Sequence, residues 1–425
     1  MSHPPSTVPG GPGIRPGLAR RTARAALVKA DAVFSQKGPA FKQLAVSWSA
    51  NVAGDTLVTV ALAGTLFFDV PSAQARDKVA LYLLLAIAPF TIVAPVLGAV
   101  FGRHPAAFRA VLTAASSLRS VVAVVMAFGL TTLWLFPLAL TQLVLSRLYG
   151  ISKSSMLPVA LPEPVALVSA NALLARLGIY AGAAAALIGA GLVQLHSAVA
   201  LVVAALFYLF SAFTGLGLPN PHSAPAVPAP APAVAPSQDA FRQSVRSLRL
   251  SRLATAVVRL LNGFLIALLA FEFKDTGGIM DFGALIGAAG VGFALASFVS
   301  PWLERHLREE PMVVAALAVE AAAAFIAGQF FSLWAAALLA GAAGLASGTA
   351  KFAFDALLQS RVHPDGRGAA FTRSETLFQL AWVLGAMLPV VISVPAEVGL
   401  AVAGVAALAA QTVFISRLLG EPRSR

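Results

Sequence analysis

Long apolar runs broken by short polar turns dominate the chain. A helix needs about 20 mostly apolar residues to cross a bilayer. Twelve stretches meet that length, at roughly 44–68, 79–101, 107–128, 132–152, 168–193, 197–217, 253–273, 282–303, 311–330, 332–352, 374–394 and 397–418. Turns as short as "GLTTLW" and "VQLHSA" join some neighbours, so consecutive segments must run antiparallel. The pattern predicts an all-α membrane protein of twelve transmembrane helices.

The polar positions inside these runs are few and patterned. Ser47, Asn51, Asp55 and Thr59 recur every four residues, which places them in one stripe along the first helix. Such a stripe on an apolar helix should face protein rather than lipid. Six ionisable residues fall within crossings: Asp55, Arg119, Arg147, Arg176, Arg259 and Glu320. Each costs at least about 2.5–3.5 kcal/mol at the bilayer centre, so each should have a partner or line a wet cavity. Asp55 has two readings, a proton-exchanging group or one half of a fixed ion pair that staples helices. Arg259 shares a helix face with Thr255 and Asn262. It suits an anionic substrate, or neutralises Asp55. Arg147 and Arg176 lie nearer helix ends, where they either snorkel or join a gate. Arg119 and Glu320 sit midway along the third helices of two halves and should turn inward, toward neighbours the sequence does not name.

Composition agrees with the pattern. Hydrophobic residues make up 58% of the chain and charged ones 11%, against about a quarter charged in soluble proteins. The net charge of +12 suggests nucleic acid until its placement is read. Twenty-three of the 30 basic residues fall in loops and tails on one side, and Arg76, Lys78 and Lys274 on the other. The positive-inside rule then puts both termini in the cytoplasm of a cell-membrane protein. It also leaves no need for a nucleic-acid partner. The first 42 residues are polar and basic and lack the pattern of a removable signal peptide. There is no cysteine, and the six histidines are scattered without metal-ligand spacing. No phosphate-binding loop or catalytic constellation is visible, so neither a metal, a cofactor nor an enzyme activity is expected.

The chain divides into a basic segment at 1–42, a six-helix bundle at 43–217, a linker at 218–252, a second bundle at 253–418 and a tail at 419–425. The linker begins "LPNPHSAPAVPAPAPAVAPSQ", a semi-extended composition. It continues as "DAFRQSVRSLRLSR", where Phe241, Val245 and Leu248 share a face that suits a short helix on the membrane surface. The halves echo each other: "GISKSSMLP" leads into "SANALLARLGIYAG" as "GTAKFAFDALLQ" leads into "ETLFQLAWVLG". Repeated halves of this kind belong to one large transporter architecture.

The "NVAGD" of the first helix, the "LP…VSANALLARLG" entering the fifth and the "RGAAFTRSETLFQLAWVLGAMLP" entering the eleventh resemble the major facilitator superfamily over about residues 42–418. The similarity is to its bacterial exporter-like branch, which includes macrolide-efflux and siderophore-export proteins. The last stretch also resembles uncharacterised actinobacterial members. The family's loop between helices two and three reads Gly-x-x-x-Asp-Arg. Gly98 and Arg103 keep two of its positions, and Gly102 stands where the aspartate would be. The resemblance implies that the first, fourth, seventh and tenth helices line a central cavity. It would place Asp55, Asn51, Arg147, Arg259 and Asn262 there, and make Gly98, Arg103, Asp355 and Arg361 gate residues. It also implies that glycines of the fifth and eighth helices pack between the halves, and that the protein is a monomer. The expected function is secondary active transport of a small amphipathic or hydrophobic compound, as an exporter, with the proton as candidate coupling ion. A lipid flippase on the same scaffold and a non-transporting scaffold or sensor are the alternatives.

Overall fold

The structure is a computed structural model. It describes residues 37–66, 107–130, 134–162, 166–219, 238–276, 279–392 and 394–419. The expected second crossing, Gly98, Arg103 and most of the Pro/Ala-rich linker lie outside these residues.

Eleven helices are described: α1 Pro39–Leu66, α2 Phe108–Phe128, α3 Leu135–Ala160, α4 Leu167–Leu195, α5 Ser197–Leu216, α6 Gln238–Thr276, α7 Ile279–Glu304, α8 Glu309–Gln329, α9 Leu333–Arg361, α10 Pro364–Val391 and α11 Ala396–Leu419. Ten of them, α2 to α11, are long and apolar enough to cross a membrane. Their outer faces carry exposed large apolar side chains such as Leu187, Phe213 and Leu384, as a lipid-facing surface requires. Trp134 and Trp334 stand exposed at the starts of α3 and α9, where amphipathic rings favour the membrane–water boundary.

The first bundle packs α1 against α4 and α5, and α2 against α3 and α5; the second packs α6 against α10, α7 and α8 against α9, and α8 against α11. The bundles meet through α4 against α7 and α9, and α3 against α9 and α10. Alternation of helix direction brings the start of α1 to the same end as the close of α3, α7 and α9. That end carries the basic loops and is called the basic end below.

Three expectations change. Residues 239–252 form the first turns of α6 rather than a separate surface helix. Residues 353–361, beyond the expected crossing at 332–352, continue α9 by about two and a half turns, and α10 starts at once at Pro364. The stretch lacks any helix breaker before Pro364, so nothing local stops the helix earlier. Glycine packing is also relocated. Gly178 faces Trp48 of α1, while a side-chain carbon on Gly292 would collide with the Gly341 backbone of α9. These close approaches lie within each bundle, and Gly283 and Gly287 face open space.

Candidate functional site

The polar stripe of α1 forms a hydrogen-bonded interior for the first bundle. Ser47, fully buried, shares hydrogen bonds with the hydroxyls of Tyr149 at 2.9 Å and Ser211 at 3.0 Å. One turn on, Asn51 accepts from Arg119 Nη1 at 2.7 Å. Asp55 follows, ion-paired with Arg119 Nη2 and accepting from Tyr208 Oη at 2.8 Å and Ser146 Oγ at 3.2 Å. Arg119 also donates to Gln142 Oε1 at 3.0 Å and to Tyr208 Oη at 2.8 Å. A buried guanidinium needs such complete use of its donors. The Arg119 side chain is 2% exposed and that of Asp55 34%. The pair is therefore lopsided, with a sealed cation and a reachable anion.

The other polar centre lies between the bundles. A cavity of about 620 Å³ is walled by residues of α1, α3 and α4 on one side and α6, α7, α9 and α10 on the other. Its charged lining is Arg147, Lys153, Arg259, Lys351, Asp355 and Glu375. Lys351 Nζ reaches both Asp355 oxygens, at 2.6 and 2.7 Å, and Glu375 Oε1 at 2.6 Å. Lys153 Nζ lies 4.2 Å from the centre of the Trp48 ring, a cation–π contact. Arg259 shares the cavity wall with Glu375 and Asp355. Trp48, Phe293, Phe352 and Phe371 supply apolar wall between these charges.

At the basic end the bundles are bonded together. Gln359 of α9, fully buried, accepts from Asn171 Nδ2 of α4 at 2.8 Å and donates to the Ser154 carbonyl of α3 at 2.8 Å. Both Asn171 and Ser154 also line the cavity, so Gln359 lies directly beneath its floor. Glu304, the last residue of α7, receives the first backbone N–H groups of α4. Val168 N donates at 3.0 Å and Ser169 N at 2.9 Å, and Ser169 Oγ adds a short third bond. A carboxylate there satisfies orphan donors and meets the positive end of the α4 dipole. Arg176 of α4 lies over the Phe298 ring of α7, 4.8 Å to its centre. Lys37, just before α1, feels both Glu304 and Arg176. Burial pulls its ammonium below the ordinary lysine range, Glu304 opposes the fall and Arg176 adds to it.

The expected cavity group is thus split. Arg147 and Arg259 line the cavity, whereas Asn51 holds Arg119 inside the first bundle and Asn262 Nδ2 donates to the Ala343 carbonyl of α9 at 3.3 Å. The reason is rotational. Trp48 and Val52 present the cavity face of α1, and Ser47, Asn51 and Asp55 sit on its bundle-facing side. Asp55 stands just behind the wall, because Ser146 both lines the cavity and bonds to it. Asp355 lies in the wall with Lys351, whereas Arg361 pairs with Glu310 of α8, which also accepts from Ser247 of α6 at 2.7 Å. Glu320 on α8 is 1% exposed and neither carboxyl oxygen has a hydrogen-bond partner among the described residues. Arg259 is the charge that acts on it.

Gln359, Glu304, Glu375 and Tyr208 were not among the expected site residues. Glu375 stands in the quoted "ETLFQLAWVLG" and Gln359 in "DALLQ". Glu375 lies about three turns into α10 and Gln359 two residues before the end of α9, and the available signal for both was a polar residue beside an apolar run.

No protein-family model matches the chain. The uncharacterized protein ML2143 of Mycobacterium leprae (strain TN) is 30% identical over 395 residues, which cover 84% of this chain and 68% of that protein. The chain belongs to the family of that mycobacterial protein. A second relative, the uncharacterized protein Rv0876c of Mycobacterium tuberculosis (strain ATCC 25618 / H37Rv), is 37% identical over 147 residues, 32% of this chain and 26% of its own. Solved structures show that this chain has the major facilitator fold. A bacterial homologue of the iron transporter ferroportin in its outward-facing state matches with a TM-score of 0.64 and 17% identity, over 89% of this chain and 99% of that one. The human organic anion transporter MFSD10 (TETRAN) matches at 0.59 and 16%, over 89% and 100%. A variant of the fucose:proton symporter FucP of E. coli matches at 0.60 and 14%, over 88% and 98%. The all-helical fold and the apolar helices make the chain a multi-pass membrane protein.

Proposed function

We propose that the chain is a secondary active transporter that exports a small amphipathic or hydrophobic compound across the cell membrane by alternating access. The observation that carries this reading is the inter-bundle cavity of about 620 Å³ with bonded contacts under one end of it. Its volume falls within the range of about 300–1,000 Å³ typical of small-molecule sites. With the termini and basic loops in the cytoplasm, the end bonded by Gln359 and Glu304 faces inward. Alternating access then requires those contacts to part as the bundles rock. The solved neighbours are named as transporters, one of them outward-facing and one a proton symporter.

Asp55 is the proposed proton-exchanging group. It is reachable, it lies one hydrogen bond behind the cavity wall, and its counter-charge is sealed. The test is dye flux from proteoliposomes with and without a pH gradient, for parent and Asp55→Asn. Coupled export predicts gradient-driven flux in the parent and only downhill flux in the variant. Equal gradient dependence in both would remove Asp55 from coupling.

A second reading, lipid movement on the same scaffold, has one observation in its favour. A groove of about 420 Å³ between α1, α4 and α5 is walled by alanines and by Leu177, Ile188, Phe207 and Phe210. Ile188 and Phe210 are also exposed on the outer surface, so an acyl chain has a way in from the side.

A further inference from the structure

We propose that the cavity selects an amphipathic organic anion. This rests on the transport reading above and names its substrate class. Among the described residues the wall carries four cations, Arg147, Lys153, Arg259 and Lys351, and two carboxylates, Asp355 and Glu375. Lys351 is bonded to both carboxylates and links them into one triad. The formal charges of these described lining residues sum to an excess of two positive. Counting Glu320, which acts on Arg259 but does not line the cavity, still leaves one.

A positive surplus inside a membrane-depth cavity is costly when unbalanced, because the surrounding protein and lipid screen it far less than water does. An anion that enters lowers that cost, and low-dielectric walls concentrate the field upon it. Arginine is well suited to the task, since its planar fork matches carboxylate, sulfonate and phosphate oxygens. The cations also come from both halves, with Arg147 and Lys153 on α3, Arg259 on α6 and Lys351 on α9. A bound anion would therefore touch both bundles, as a substrate that drives rocking must.

The remaining wall excludes a small inorganic ion as the preferred ligand. Trp48, Phe293, Phe352 and Phe371 offer aromatic surface that only a ligand with an apolar body would cover. Such a ligand is either a free organic anion or the anionic headgroup and upper chains of a lipid, and the two share this chemistry.

The test is thermal unfolding of the full chain in detergent, titrated with octanesulfonate, octyltrimethylammonium, 1-octanol, inorganic sulfate and dihexanoylphosphatidylglycerol. A ligand that binds the native state raises the unfolding temperature as its concentration grows. Octanesulfonate or the phosphatidylglycerol should stabilise the protein, and the larger shift identifies the free anion or the lipid as the better mimic. Octyltrimethylammonium and sulfate should do little. Arg259→Gln should weaken the effective anion about tenfold, with Arg259→Lys restoring most of it. Equal stabilisation by octanesulfonate, the cation and octanol would overturn the charge selectivity, and so would an unchanged response in Arg259→Gln. If no probe stabilises the protein while spin labels still report opening at the basic end, the anion assignment falls and the transport reading stands. If the basic end never opens, it is the transport reading that falls.

Discussion

Arg119 and Asp55 form an ion pair across α2 and α1, and one phenol is bonded to both. Tyr208 Oη accepts from Arg119 Nη2 at 2.8 Å and donates to Asp55 Oδ1 at 2.8 Å. Three helices thus share one charge-neutral unit inside the first bundle. Removing the anion alone leaves a sealed guanidinium without counter-charge. Asp55→Ala should lower the unfolding free energy by about 2 kcal/mol, less than the 3–5 kcal/mol typical of fully buried pairs because Asp55 is partly exposed. Arg119→Met should also destabilise, and the double variant should lose less than the sum. Thermal unfolding of the four proteins in one detergent measures the cycle. Strict additivity would show that the pair is not energetically coupled.

Glu320 makes the opposite prediction. Its carboxyl oxygens are buried without a hydrogen bond among the described residues, a costly arrangement for any polar group. Glu320→Leu should raise stability by about 1–3 kcal/mol, since apolar packing replaces unsatisfied polar atoms. A loss of that size would mean that Glu320 has a partner that holds α8 in place.

The basic-end contacts should respond differently. Gln359→Ala removes two buried bonds between the bundles, each worth about 0.5–1.5 kcal/mol net. Its main effect should be on the position of the bundles rather than on global unfolding. Alkylation of an introduced cysteine at Ser154 reads this directly, and the parent chain contains no cysteine to interfere. Labelling should speed up several-fold in Gln359→Ala. No change in rate would show that Gln359 does not guard the floor.

The packing of α7 on α9 depends on Gly292, which lies against the backbone of Gly341. Gly292→Leu has no flexible neighbour to displace and should abolish folded, monodisperse protein. Gly287→Leu faces open space and should leave yield and unfolding temperature nearly unchanged. Similar behaviour of the two variants would contradict the close approach.

Much of this architecture was legible before any coordinates. Apolar length and the turns mark the crossings that the structure describes, and basic loops mark one end. The four-residue spacing of Ser47, Asn51, Asp55 and Thr59 assigns them a common face; Ser47 and Asn51 are buried against protein as expected, whereas Asp55 is partly exposed and Thr59 is exposed. What the spacing lacks is azimuth. It says that Asn51 and Asp55 face the interior, but not whether that interior is the first bundle or the gap between bundles. The difference is a rotation of about one residue, roughly 100° on a helix, and it is settled by which neighbour offers a counter-charge. Arg119 does, from two crossings away. Likewise Gln359 lies beyond the apolar run of α9, where hydropathy ends although the helix does not. The cavity charges were visible singly, and only folding sets Lys351 between Asp355 and Glu375.

The central claim is that the bundles move about the cavity, and a distance across the basic end tests it most directly. Spin labels on Gln43→Cys and Arg305→Cys, both exposed positions at that end, report separation by pulsed electron resonance in lipid nanodiscs. The parent should show a dominant short distance. Glu304→Ala removes the three bonds from α4 and should populate a second, longer distance at the expense of the first. One unchanged distance in both proteins would contradict alternating access.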